Sequence, residues 1–204
     1  MRLPGAVVLV LALLVATPAP AGERVLVALG DSLTAGLGVA PDEAYPALLE
    51  ARLRHEGYGY RVVNAGVSGD TSAGGLRRVD WVLKSRPDVV IVALGANDGL
   101  RGLPVDELVR NLEAIVTRVR AAGARVLLAG MRVPPNYGAD YARAFAAVFP
   151  AVAKRTGVPL APFLLDGVAG DAQLNQPDGI HPTAEGQRVI AERLWPYVRP
   201  LLAR

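Results

Sequence analysis

Five nearly continuous apolar runs of strand length, separated by stretches of helical periodicity, constrain this chain more than anything else in its sequence. The runs are Val25–Leu29, Arg61–Ala65, Val89–Leu94, Arg125–Ala129 and Val158–Phe163. They lack the strict polar alternation of a half-solvated strand, so they read as strands covered on both faces. The clearest helix between them runs from Val105 to Ala121, with Val105, Leu108, Val109, Leu112, Ile115, Val116 and Val119 on one stripe. Weaker patterns cover Ala44–Arg54, Leu76–Lys84, Ala139–Thr156 and Thr183–Arg199. Pro150 is expected to kink or split the helix at Ala139–Thr156, and Pro196 to disturb the end of the last one.

Strands and helices that alternate at this spacing imply parallel strands joined by crossover helices. The expected architecture is a three-layer α/β/α sandwich around a five-stranded parallel sheet. Open sheets of this kind bind ligands beyond the carboxyl ends of their strands. Chemistry should therefore cluster just after each apolar run.

The first residues stand apart from that domain. Met1 and Arg2 make a short positive start, and Ala6 to Val15 form an apolar stretch too short to span a bilayer comfortably. Ala19-Pro20-Ala21 has the A-x-A form of a cleavage site. Residues 1–21 thus read as a secretory signal peptide cut after Ala21, with residues 22–204 forming one domain; the alternative is an uncleaved N-terminal anchor. The chain has no cysteine, which excludes disulfides, cysteine–metal sites and a lipidated cysteine after the signal. The expectation is a soluble periplasmic or secreted monomer with no stable membrane anchor after cleavage. The formal charge of +3 is dispersed, with RLRH (52–55) and LRRVDW (76–81) resembling solvated helix faces, so no nucleic-acid partner is expected.

Small polar residues and glycines do recur after the runs. Gly30-Asp31-Ser32-Leu33 follows the first, and Gly66-Val67-Ser68-Gly69-Asp70-Thr71-Ser72 the second. Gly95-Ala96-Asn97-Asp98 follows the third, Met131 to Gly138 the fourth, and Pro177-Asp178-Gly179-Ile180-His181-Pro182 the last. A phosphate loop at Ser32 is disfavoured, because no Gly-Lys-Ser/Thr follows. Gly36-Leu37-Gly38-Val39-Ala40-Pro41 starts like a dinucleotide fingerprint but has proline in place of the third glycine.

A nucleophilic serine needs a base and a group to orient that base. The only histidines are His55 and His181. His55 sits at the polar end of a helical pattern, where a solvated surface role is the plainer account. Asp178 precedes His181 by three residues in a turn-rich loop, so its carboxylate can reach one imidazole nitrogen and leave the other for Ser32. The pair could equally cap the last helix. A tetrahedral intermediate also needs oxyanion donors. The Ser32 amide, a Gly69 amide and the Asn97 side chain are candidates, although Gly69 alone is better read as a turn glycine and Asn97 alone equally as a cap. Together on one end of a sheet, the joint reading outweighs these separate ones.

Gly30-Asp31-Ser32-Leu33, Gly69, Gly95-Ala96-Asn97-Asp98 and Asp178-Gly179-Ile180-His181-Pro182 resemble, in order, the sequence blocks of the GDSL or SGNH hydrolases. The similarity spans the whole mature chain, and NAGVSGDTSAGGL (64–76), LGANDGLRGLP (94–104) and PPNYG (134–138) look most like the thioesterase I, lysophospholipase L1 and arylesterase branch. The resemblance implies a flavodoxin-like fold and a serine hydrolase of small-molecule acyl esters and thioesters, with neither metal nor organic cofactor. It implies Ser32 as nucleophile, His181 as base and Asp178 as its orienting acid. Ser32, Gly69 and Asn97 would form the oxyanion hole, and Asp31, Pro134, Asn136 and Tyr137 would face the substrate. A carbohydrate O-deacetylase of the same fold, or a non-catalytic periplasmic lipid- or sugar-binding module, remains the alternative.

Overall fold

The computed structural model describes residues 23–203. The expected signal peptide, residues 1–21, lies outside the described residues. Five strands form one parallel sheet: β1 (Arg24–Gly30), β2 (Tyr60–Gly66), β3 (Val89–Ala93), β4 (Arg125–Ala129) and β5 (Leu160–Ala161). Their order is β2-β1-β3-β4-β5, so the chain leaves β1 in one direction and returns past it to β3. That reversal opens a crevice at the carboxyl ends of β1 and β3. The register runs Leu26 beside Val62 and Val89, so all three strands end level at Gly30, Gly66 and Ala93.

Right-handed crossovers put the helix between β1 and β2 on one face and those between the later strands on the other. Accordingly α2 (Tyr45–His55) packs with α7 (Ala184–Val198), while α3 (Ser72–Leu83), α5 (Val105–Ala121) and α6 (Ala139–Thr156) pack side by side. Two short helices, α1 (Ser32–Ala35) and α4 (Ala96–Leu100), begin just beyond β1 and β3. The expected stripe of α5 buries Leu108, Leu112, Ile115, Val116 and Val119, with Val105 and Val109 at its edge. Each such side chain contributes about 2 kcal/mol by leaving water. Asp106 and Glu107 in the first turn and Arg118 and Arg120 in the last suit the helix dipole.

Several expectations need correction. The run Arg61–Ala65 is not covered on both faces: β2 is an edge strand of the sheet, and Arg61 and Asn64 are exposed on it. The last strand is confined to Leu160–Ala161 rather than Val158–Phe163. Pro159 and Pro162 flank it and supply no N–H to a ladder, and β5 is the sheet's edge, where such residues are tolerated. Pro150 does not split α6, which is continuous across it; Phe145, Val148, Phe149 and Val152 bury both sides of the proline in the core. Pro196 behaves as expected, since α7 ends at Val198 and tightens into a 3-10 turn over Arg199–Leu201.

Candidate active site

β1 delivers the chain to Asp31, which is the N-cap of α1: its Oδ1 accepts from the Leu33 amide at 3.0 Å. Ser32 is the first residue of α1, and its hydroxyl lies 2.9 Å from His181 Nε2. His181 Nδ1 lies 2.7 Å from Asp178 Oδ2. The other Asp178 oxygen accepts from the Ile180 and His181 amides at 2.9 and 3.0 Å. Those backbone donors, with the imidazole, hold the Asp178 carboxyl down to about 2. A carboxylate fixed at Nδ1 keeps the proton there and leaves Nε2 free to accept from Ser32.

The loop that carries this pair is anchored in ways its motif does not announce. Gln176 Nε2 donates to Leu37 O at 2.7 Å and to Pro182 O at 2.9 Å, so the histidine loop is tied to the segment following Ser32. The buried Gln187 on α7 accepts from the Tyr45 amide and donates to Leu33 O, fixing α1 from below. His55 ends α2 in an exposed position. Helices of this fold run antiparallel to the strands, so His55 lies at the end of the sheet away from Ser32.

Asn97 sits in the first turn of α4. Its Nδ2 donates to Asp70 O at 3.0 Å and makes only a long 3.4 Å approach to Asp31 Oδ2. The hydrogen on the long contact is weakly held and stays available to a stronger acceptor that comes within its reach. Gly69 adopts φ +79°, a left-handed conformation suited to glycine, and its carbonyl accepts from Arg101 Nη2 at 2.7 Å. That orientation sends the carbonyl toward Arg101. Among the described residues, its N–H enters no hydrogen bond.

A crevice of about 580 Å³ opens beside this chain of groups, with Ser32, Asn97 and His181 in its wall. Leu33, Leu100, Val133, Pro134 and Ile180 give it a largely apolar lining. Of the residues expected to face substrate, Pro134 alone lines it. Asp31 does not: it is fully buried beneath Ser32, its carboxylate engaged in capping. Tyr137 instead donates its hydroxyl to Leu100 O, bracing the 134–138 loop against α4, and Asn136 points into solvent from that loop.

Burial pushes the Asp31 carboxyl up from 3.8 to about 6, against the pull of the Leu33 amide and Asn97. An unfolded chain releases this proton near 3.8 and the folded one near 6, so the folded state binds more protons in between. Stability from this group is greatest at low pH and falls as pH rises from about 4 to 6, by roughly 3 kcal/mol. The depressed Asp178 carboxyl acts oppositely and lower, losing its contribution only as pH drops below about 4. Urea midpoints of the wild type relative to Asp31→Asn should therefore decline across pH 4–6 and level off above. A flat difference would contradict the raised carboxyl.

A doubly wound parallel sheet with a hydrogen-bonded serine, histidine and aspartate at its switch point defines a class, the serine hydrolases of flavodoxin-like topology. Known proteins narrow it. The pattern of the GDSL-like Lipase/Acylhydrolase family matches residues 28–189. The chain is 47% identical over 193 residues to Esterase TesA of Pseudomonas aeruginosa, covering 94% of this chain and 96% of that protein. It is 42% identical over 183 residues to Thioesterase 1/protease 1/lysophospholipase L1 of Escherichia coli K12, covering 89% and 86%. The crystal structure of psychrotrophic esterase EstA from Pseudoalteromonas, inhibited by monoethylphosphonate, superposes with a TM-score of 0.83 at 35% identity, covering 87% of this chain and 98% of that one. The chain belongs to the GDSL-like lipase/acylhydrolase family.

Proposed function

We propose that this protein hydrolyses carboxylic acyl esters and thioesters through an acyl-enzyme on Ser32. The observation that carries this reading is the Ser32–His181–Asp178 relay, 2.9 and 2.7 Å long, set in the wall of an apolar crevice. Ser32 Oγ attacks the acyl carbon while His181 Nε2 takes its proton. The new oxyanion is held by the Ser32 and Gly69 amides and by the Asn97 hydrogen directed at Asp31 in the free protein. As the intermediate collapses, His181 gives the proton to the departing alcohol or thiol. Water then repeats the sequence on the acyl-enzyme, with His181 again as base, and releases the acid. The acyl chain would occupy the apolar side of the crevice past Val133 and Pro134.

The relatives named esterase and thioesterase support the reaction class. The phosphonate-inhibited EstA supports its test: incubation with an alkyl phosphonate should add one phosphonyl group to Ser32, read by peptide mass. Modification elsewhere, or none, would remove the nucleophile assignment. Asn97→Ala should lower kcat about 10²–10³-fold with a smaller change in KM. A change confined to KM would mean that Asn97 binds the ground state instead.

All these groups come from one chain, which supports action as a monomer; a stable dimer in sedimentation would count against it. The positive start, apolar stretch and A-x-A site of residues 1–21 support export. The mature protein is then periplasmic or secreted and begins at Gly22. N-terminal sequencing that returns Met1 or Arg2 would rule this out.

A further inference from the structure

Arg78, on the second turn of α3, touches no part of the crevice, yet its guanidinium joins three segments that lead into it. Nε donates to Asp70 Oδ2 at 2.7 Å, Nη1 to Ala65 O at 2.8 Å and Nη2 to Gly30 O at 2.8 Å. Gly30 is the last residue of β1, two before Ser32. Ala65 is the penultimate residue of β2 and leads to the Gly69 turn. Asp70 follows Gly69, and its carbonyl is the acceptor for Asn97 Nδ2. The three groups assigned to the oxyanion thus hang from segments that one planar cation holds together. We infer that Arg78 is a positioning residue for the oxyanion hole, an inference that rests on the proposed acyl-enzyme reading.

The surroundings are shaped for this contact. The Arg78 and Asp70 side chains are only 19% and 13% exposed, so the pair is largely shielded from solvent. A Cβ on Gly74 would come within 1.6 Å of Asp70 Oδ1, so the helix leaves a notch in which that carboxylate lies. One turn earlier on the same helix, the Ser72 amide and hydroxyl donate to the Asp98 carboxylate at 2.8 and 2.5 Å. Asp98 follows Asn97, so α3 also steadies the helix that carries the third donor. A lysine could supply charge at position 78, but not three donors in one plane.

A misplacement of about 1 Å among catalytic donors can cost on the order of 10²-fold in rate. Arg78→Met should therefore lower kcat about 10- to 100-fold with KM changed less than about threefold, in protein that circular dichroism shows folded at the assay temperature. Arg78→Lys should lie between it and the wild type. Gly74→Ala improves helix propensity but drives into Asp70, so it should lower kcat as well. The deciding readout is a double-mutant cycle: if Arg78 acts through the oxyanion donors, its loss should largely vanish in an Asn97→Ala background. A full loss in that background, an effect on KM alone, or a folded Arg78→Met with kcat unchanged would overturn the inference. If Arg78→Met does not fold, Arg78→Lys and Asp70→Asn take its place in the cycle, and the same outcomes support or overturn the inference. Ser32→Ala and Asn97→Ala are measured alongside. If those two lose activity and the Arg78 variants do not, positioning alone fails. If those two keep activity, the acyl-enzyme reading fails and the inference falls with it.

Discussion

Ser32→Ala is expected to lower kcat by roughly 10³-fold or more while leaving the fold intact. The hydroxyl's hydrogen-bond partner is His181 Nε2, so its removal breaks no contact that holds the sheet or α1 together. Asp31 still caps α1 through the Leu33 amide, and Gln187 still holds Leu33 O. The proposed oxyanion donors also survive, because the amide at position 32 belongs to the backbone. The variant should accordingly bind substrate with near-normal affinity and form no acyl adduct detectable by mass. Some residual hydrolysis is expected, since donors and crevice still favour the tetrahedral state when water attacks directly. An acyl adduct found on another residue of the wild type would refute the assignment, as would a Ser32→Ala variant with kcat within tenfold of it.

The parts of this molecule that can be read from sequence are those with a period or a motif. β1, β3 and β4 are apolar runs covered on both faces, and α5 has a full stripe, so their positions follow from composition along the chain; β2, at the sheet's edge, leaves Arg61 and Asn64 exposed and is read from Val62, Val63 and Ala65. α1 and α4 leave no such trace, because helices of four and five residues are too short to show a period. The pattern for α3 starts late, at Leu76, because Gly74 and Gly75 read as breakers. The helix in fact begins at Ser72, capped by Thr71 Oγ1, and Gly74 serves to seat Asp70. Ser32, Asp178, His181 and Asn97 are legible because they sit in loops or at loop ends, where residue type and spacing carry chemistry. Asp31 misleads for a physical reason: adjacency to the serine in sequence does not give adjacency to the crevice when the next residue opens a helix.

Gln176, Gln187 and Arg78 are not legible at all. Each bonds backbone groups of distant segments, Leu37 O, Tyr45 N and Gly30 O among them, and a backbone donor or acceptor leaves no mark on the residue that supplies it. Their role is to fix loops whose own sequences specify only the chemistry. Motif and scaffold are thus written differently, the one in residue types and the other in contacts between segments far apart in the chain.

The two histidines give the sharpest discrimination. His55→Gln should leave kcat/KM and its pH profile nearly unchanged, because His55 is exposed at the far end of the sheet. His181→Gln should lower kcat roughly 10³-fold or more, since glutamine cannot take the Ser32 proton. A base must be neutral to act, so kcat/KM of the wild type should rise along an acidic limb, and this limb should vanish from the residual activity of His181→Gln. Asp31 complicates the same range, because its carboxyl releases a proton near 6. A limb that survives Asp31→Asn but not His181→Gln belongs to the imidazole. Asp178 separates orientation from proton transfer. Asp178→Ala leaves the base present but unsteered and should be the milder change. Asp178→Asn should be worse, because the Ile180 and His181 amides hold its carbonyl oxygen and turn its NH₂ toward Nδ1. That forces the proton onto Nε2, where it blocks acceptance from Ser32. Equal, small losses in His55→Gln and His181→Gln with a p-nitrophenyl ester would leave the relay without a function.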